Sequence, residues 1–262
     1  MGKNKLKKFA EMETFPNVFQ CGATQMNRQP SATGLQKQEM AGKWRGFFGN
    51  SHPVVLELGC GRGEYTVGLA RKYPEKNFIG VDIKGARMWA GAKQALQEGL
   101  TNVAFLRTNI EFITSFFAAD EVDEIWITFC DPQMKKATKR LTSTWFMQRY
   151  QQIVKPNGLV HLKTDSPFLY TYTTEMLKLN PYPVRCATDD LYAKTSDSNG
   201  LFDDARALQT HYENQWLERG MKIKYIEWEL VPLSRWEEPT IEIEKDTYRS
   251  YGRNYSSDKP SI

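Results

Sequence analysis

Histidine is scarce, with three in 262 residues, and the four cysteines, Cys21, Cys60, Cys130 and Cys186, stand far apart with no C-x-x-C pair. That spacing argues against a zinc ligand set and a disulfide framework, so the thiols are read as free and no metal is expected. No apolar run is long enough to span a bilayer, and the basic start MGKNKLKKF lacks the apolar stretch of a signal peptide. A cytoplasmic location is the expectation. Charge of neither sign dominates: 35 Lys and Arg against 31 Asp and Glu leave +4, which suits a polyanionic partner without identifying one. An apolar content of 40% in a chain of 262 residues allows a proper core, in one large domain or two small ones.

One further absence is local and more telling. In Val54 to Gly63, VVLELGCGRG, an apolar strand breaks into Gly59, Gly61 and Gly63, and Thr66, Leu69, Ala70 and Tyr73 then fall on one helical face. A dinucleotide fingerprint would need a third glycine where this chain has Glu64, beside a helix N-terminus that must hold a pyrophosphate. A carboxylate there repels phosphate.

Beyond this loop the chain alternates strand and helix. NFIGVD ends in Asp82, placed either to accept hydrogen bonds from ribose hydroxyls or to cap the next helix. Val103 to Arg107 is followed by Asn109, which can donate and accept toward a base or serve as an N-cap. EIWITF, Glu124 to Phe129, leads into Cys130-Asp131-Pro132 and a basic loop with Lys135, Lys136, Lys139 and Arg140. Leu159 to Thr164 ends at Asp165, and Val184 to Thr188 with Met221 to Leu230 form the last two strands, an antiparallel pair at one edge. Parallel strands finish on one edge of an open sheet, so Gly59, Asp82, Asn109, Asp131 and Asp165 should surround one crevice. The expected fold is α/β, a seven-stranded mostly parallel sheet with helices on both faces over residues 51–230. A basic, partly disordered arm (1–50) precedes it and an extension (231–262) follows, in which aromatics beside Arg249 and Arg253 could stack on RNA or dock on the body.

The pattern Glu57, Gly59, Gly61, Gly63 resembles the first motif of class I S-adenosylmethionine methyltransferases. LELGCGRG, GVDI, FCDPQMKKATKRLTSTWF and HLKTD, in this order, resemble the bacterial tRNA (guanine-N7-)-methyltransferase family from about Val54 to Leu230. Gln133 replaces the tryptophan of that family's D-P-W motif, and the basic run is shorter. The resemblance implies a Rossmann-like class I fold, S-adenosyl-L-methionine as methyl donor with S-adenosyl-L-homocysteine as product, and no metal. It implies tRNA as partner, methylated at N7 of a variable-loop guanosine. It places Glu57, Gly59, Gly61, Gly63, Asp82, Asn109 and Asp131 at the cofactor, and Lys135, Asp165, Thr210 and Glu213 at the nucleotide. On chemical grounds, Asp131 is the carboxylate expected to stabilise the positive charge that a methylated guanine gains, and Lys136, Lys139 and Arg140 are expected at the RNA backbone.

No obligate protein partner is evident, and a monomer or homodimer is expected. Two other readings stay open: a methyltransferase of this fold acting on a small molecule or protein, and a cofactor-binding RNA-binding protein without catalysis. Salt dependence separates the first from a tRNA enzyme, because binding through several phosphates weakens steeply as salt rises. Methyl transfer separates the second.

Overall fold

The computed structural model describes residues 3–20, 40–193 and 200–248. Its centre is an eight-stranded sheet in the order β1-β4-β3-β2-β5-β6-β8-β7. The strands are β1 (Val18–Gln20), β2 (Val54–Leu58), β3 (Asn77–Asp82), β4 (Val103–Arg107), β5 (Val122–Thr128), β6 (Val154–Thr164), β7 (Val184–Thr188) and β8 (Lys224–Leu230). β8 runs antiparallel to both β6 and β7, and the other neighbours are parallel. Strand order reverses at β2, between β3 on one side and β5 on the other, which opens a crevice beyond their carboxyl ends. The helices that matter for this crevice are α1 (Lys3–Met12), α2 (Trp44–Phe48), α3 (Glu64–Lys72), α4 (Gly85–Gln97), α5 (Thr144–Tyr150), α6 (Pro167–Leu179), α7 (Asp203–Ala207) and α8 (His211–Leu217).

Two features depart from the sequence expectation. The sheet has an eighth strand, because β1 pairs in parallel with β4, Val18 opposite Phe105. Three residues are too few for a period of two to show in the sequence. Within segment 1–50, moreover, the described residues 3–20 dock on the body. Glu11 of α1 accepts hydrogen bonds from Trp89 Nε1 at 2.8 Å and Lys93 Nζ at 2.9 Å on α4, and Met12 is fully buried. At the other end, Val231, Leu233, Trp236 and Ile243 pack half-buried against the core. Cys21, Arg249, Arg253, Tyr251 and Tyr255 lie outside the described residues. Among the described residues no helix is long and apolar enough to cross a membrane.

Alternation along the strands sorts the core into two faces. Val54, Leu56 and Leu58 of β2, Ile125 and Ile127 of β5 and Val160 and Leu162 of β6 share one wholly apolar cluster. The opposite face receives the intervening residues, and there the central strands are polar. Register sets Glu57 beside Trp126, Trp126 beside His161 and His161 beside Glu227; the next row holds Thr128, Lys163 and Tyr225. His161 stacks on Trp126, ring centroids 4.1 Å apart and 6° from parallel. Its Nε2 lies 3.1 Å from Glu124 and its Nδ1 3.4 Å from Glu227.

Burial by itself would lower the His161 pKa, but the hydrogen bonds and charges of Glu124 and Glu227 outweigh it and hold the imidazole above its ordinary value. Burial likewise works against ionised Glu124 and Glu227, and His161 with Lys76 or Arg185 brings both below the usual carboxylate range. The signs are opposite at the two ends of the pH scale. The His161 contribution is complete below the unfolded histidine pKa of about 6.5 and is lost as pH rises through the raised folded value; that of the carboxylates is lost in acid. Lys163 acts the other way, because its pKa is lowered by burial to about 8, so the cost of its buried charge fades only above that pH. Melting temperature should therefore fall between pH 6.5 and about 8 in the wild type and fall less in His161→Gln; equal slopes in calorimetric scans would remove His161 as the source.

Candidate active site

A cleft of about 330 Å³ opens at the carboxyl ends of β2, β3 and β5, and Glu57, Gly59, Gly61, Asp82, Asp131, Lys139 and Thr210 line it. The turn after β2 is built for a ligand that lies on bare backbone. Gly59 and Gly61 have φ of +78° and +55°, and a Cβ on either would point into open space or meet nothing closer than 3.9 Å. Gly63 differs. Its Cβ would stand 2.6 Å from the Phe105 ring and 3.5 Å from Gly91, so this glycine, which does not line the cleft, lets α3 pack against the sheet and α4.

Glu57 is buried, with three donors on its carboxylate. The Thr66 amide donates at 2.8 Å, the Thr66 hydroxyl donates to the same oxygen, and the Thr128 hydroxyl donates to the other at 2.9 Å. Burial pushes its pKa up to about 7, against the pull of these hydrogen bonds. Asp82 spans the glycine turn: one carboxylate oxygen accepts from the Gly61 amide at 2.9 Å and the other from the Lys84 amide at 2.7 Å. Asp131 is exposed on the far wall, accepting from the Gln133 amide at 2.9 Å. Phe129 and Gln133, on either side of it, both have φ of +48°, a left-handed backbone that non-glycine residues adopt at a cost of about 1–3 kcal/mol. Gln133, where the resemblance expects tryptophan, thus serves the turn that aims Asp131.

The other expected site residues divide between the cleft wall and positions away from it. Asn109 does not line the cleft; it caps the 3₁₀ turn Ile110–Ser115, its side chain accepting from the Glu111 amide at 3.4 Å. Asp165 is fully buried at the end of β6, where the Tyr248 hydroxyl donates to it at 2.7 Å. Arg140, expected at the RNA backbone, is buried against the rings of Phe168 and Tyr172, and its guanidinium donates to the Gln133 and Met134 carbonyls at 3.2 Å. Lys139 pairs with Glu111. Lys135 and Lys136 remain exposed on the loop. Thr210 and Glu213 form a reciprocal capping box at the start of α8, which leaves Thr210 on the cleft and Glu213 wholly enclosed.

The partner of Glu213 is a residue to which sequence reasoning gave no role. Lys163 of β6 is fully buried, its Nζ 2.6 Å from Glu213 Oε1. The same ammonium donates to the Tyr65 hydroxyl at 2.8 Å and to the Leu208 carbonyl at 3.0 Å, and also to the Ala205 carbonyl. Its backbone carbonyl accepts from the Phe129 amide at 2.9 Å, just ahead of Asp131. Lys163 therefore holds the Asp131 wall by its main chain and the Thr210–Tyr212 wall by its side chain. A lysine within the apolar run of β6 was the available signal. Thr66 and Thr128, which hold Glu57, and Arg62, Arg87 and Tyr212 on the rim were likewise missed. Lys163→Met, which strands the Glu213 carboxylate, should cost about 3–5 kcal/mol, and Lys163→Met with Glu213→Leu should recover most of it. Denaturant unfolding of the single and double variants reads both values.

Comparison with known proteins places this geometry. A family model described as "Putative methyltransferase" matches residues 51–226. A tRNA (guanine-N(7)-)-methyltransferase of Bacteroides thetaiotaomicron is 57% identical over 98% of this chain and 98% of its own. One of Porphyromonas gingivalis is 57% identical over 94% of this chain and 98% of its own. Among solved structures, the 16S rRNA methyltransferase KamB superposes with a TM-score of 0.54 at 14% identity, over 73% of this chain and 94% of that one, a likeness of fold. The cleft, its glycine turn and the acids around it thus stand in a class I methyltransferase fold, and the chain belongs to the tRNA (guanine-N(7)-)-methyltransferase family.

Proposed function

We propose that this protein transfers a methyl group from S-adenosylmethionine to N7 of a guanosine in tRNA, in the variable loop as the family resemblance has it, and that it works in the cytoplasm. The observation that carries the reading is Asp131, an exposed carboxylate held at the mouth of the cleft between two left-handed residues. The cleft fits the cofactor chemically. Glu57, Asp82 and Asp131 put three carboxylates around a glycine turn with open backbone, which suits a nucleoside carrying cationic groups and no phosphate. Glu57, Gly59, Gly61 and Asp82 would hold it. When bound, it supplies a methyl group on a positively charged sulfur.

The residues of the chain then have to orient the acceptor. Guanine N7 carries a lone pair and no proton, so no general base is required. Holding that nitrogen at attack distance can supply about 7–11 kcal/mol of the barrier. The ring gains positive charge as the bond forms, and the Asp131 carboxylate stabilises that charge more in the transition state than before it. Asp131 can also accept from the ring N–H and the exocyclic amino group of guanine, a pair adenine does not present. Lys135 and Lys136, exposed on the same loop, can meet phosphates.

Two measurements test this. With unmodified tRNA and methyl-labelled cofactor, the wild type should label one guanosine at N7, and Asp131→Ala should lower turnover by about a hundredfold or more. Labelling of another base, or a fully active variant, would overturn the assignment. The second follows from Glu57, whose raised pKa of about 7 should fall when a cationic ligand enters the cleft. Cofactor binding should then release close to one proton near pH 6 and almost none above pH 8, on the order of what a carboxyl returning to its usual range predicts. Calorimetry in buffers of differing ionisation enthalpy measures the release, and Glu57→Gln should abolish it.

A further inference from the structure

The two left-handed residues on either side of Asp131 are held by different partners. Phe129, on entry, donates its amide to the Lys163 carbonyl at 2.9 Å. Gln133, on exit, donates its amide to the Asp131 carboxylate at 2.9 Å and gives its carbonyl to Arg140 Nε at 3.2 Å. The Met134 carbonyl accepts from Arg140 Nη2 at the same distance. One guanidinium fork therefore grips two successive carbonyls, starting at the residue whose amide steadies the carboxylate. A left-handed backbone at a residue other than glycine is costly and persists only where its surroundings determine it. At Gln133, Arg140 is that determinant.

Arg140 is itself held in place. Phe168 and Tyr172, one turn apart on α6, bring their rings 4.8 and 4.4 Å from its guanidinium carbon, and it is buried, whereas Lys135 and Lys136 of the same loop are exposed. An arginine serving an RNA phosphate would stand where those lysines stand. The segment after β8 closes the arrangement. The Tyr172 hydroxyl donates to Glu238, whose other carboxylate oxygen accepts from the Thr144 hydroxyl at 2.7 Å. Asp246 accepts from the Ser166 hydroxyl and from the Phe168 amide at 3.1 Å, and its own amide donates to the Met134 sulfur at 3.2 Å. This segment thus ties α6, on which Arg140 rests, to the loop that Arg140 grips.

We propose that Arg140 is a positioning residue that acts through Asp131: its fork fixes the exit of the turn, and Glu238 and Asp246 fix the platform behind it. This rests on the methyl-transfer reading, with Asp131 as the carboxylate that meets the acceptor base. Lysine cannot replace arginine here, because an ammonium on a flexible stem neither forks across two carbonyls nor lays a planar face on the rings.

The test is a double-variant cycle on the full chain, read as turnover at saturating cofactor and tRNA. Arg140→Lys should lower kcat about tenfold to a hundredfold, the effect of a misplacement of about 1 Å, and lower it little further in an Asp131→Ala background, where the group it positions is already gone. Cofactor affinity and the slope of log Kd for tRNA against log salt should stay at wild-type values, since no phosphate contact is lost. Tyr172→Phe keeps the ring and removes the link to Glu238. It should lower kcat less, again only where Asp131 is present, and it carries the same cycle if Arg140→Lys does not fold. Full kcat in either variant, or a loss that multiplies undiminished with that of Asp131→Ala, overturns the proposal and leaves the role of Asp131 standing. A salt slope reduced by about 0.7–0.9 in Arg140→Gln and restored in Arg140→Lys would make Arg140 a phosphate contact and overturn it too. Wild-type turnover in Asp131→Ala overturns both.

Discussion

Lys163 lies fully enclosed near the end of a central strand, with the two walls of the cleft attached to it from opposite sides. Its carbonyl fixes Phe129, itself left-handed, from which the backbone turns to Asp131. Its ammonium fixes Glu213 and the carbonyls of Ala205 and Leu208, and so sets the start of the short helix whose cap, Thr210, and first turn, Tyr212, close the cleft. A buried charge pair of this kind adds little net stability compared with apolar residues of the same shape, but removing either member leaves an uncompensated charge. Its value here is geometric: several acceptors from separate segments converge on one ammonium, which leaves the two walls few other ways to meet.

The same logic divides the carboxylates of the site. Glu57 is inside, supplied with donors from Thr66 and Thr128, and burial raises its pKa to about 7 against their pull. Asp82 bridges the glycine turn to the helix that follows. Asp131 is the one of the three held out in the open, where it can face an acceptor base. One sheet face packs Val54, Leu56, Leu58, Ile125, Ile127, Val160 and Leu162 as ordinary core, while the other carries Glu57, Thr128, His161 and Lys163 on three adjacent strands. The polar face is the one the cleft uses.

The terminal segments bear on the substrate side of this arrangement. Tyr248 donates to Asp165, and Asp246 accepts from Ser166 and from the Phe168 amide while its own amide reaches Met134 on the basic loop. The C-terminal segment thus crosses between the loop of Asp131 and the end of β6. The amino-terminal helix occupies the other flank, along α4. Neither segment announces itself in the sequence: the first mixes charges without period, and the second is a short amphipathic run followed by a strand of three residues.

What the sequence alone determined is the chemistry of the strand ends. Apolar runs broken by Gly59 and Gly61, and closed by Asp82 and Asp131, require an open parallel sheet with a polar edge, because main-chain direction and a period of two leave those residues nowhere else to go. Tertiary structure decided which of the candidates face the cleft. Arg140 under two aromatic rings, Asp165 beneath Tyr248 and Glu213 against Lys163 all carry functional-looking side chains that meet partners distant in the sequence, whereas Asn109 caps a turn two residues away. A residue type fixes what a group can bind, but burial and the partner that arrives from elsewhere in the chain fix what it does bind, and that information is not local.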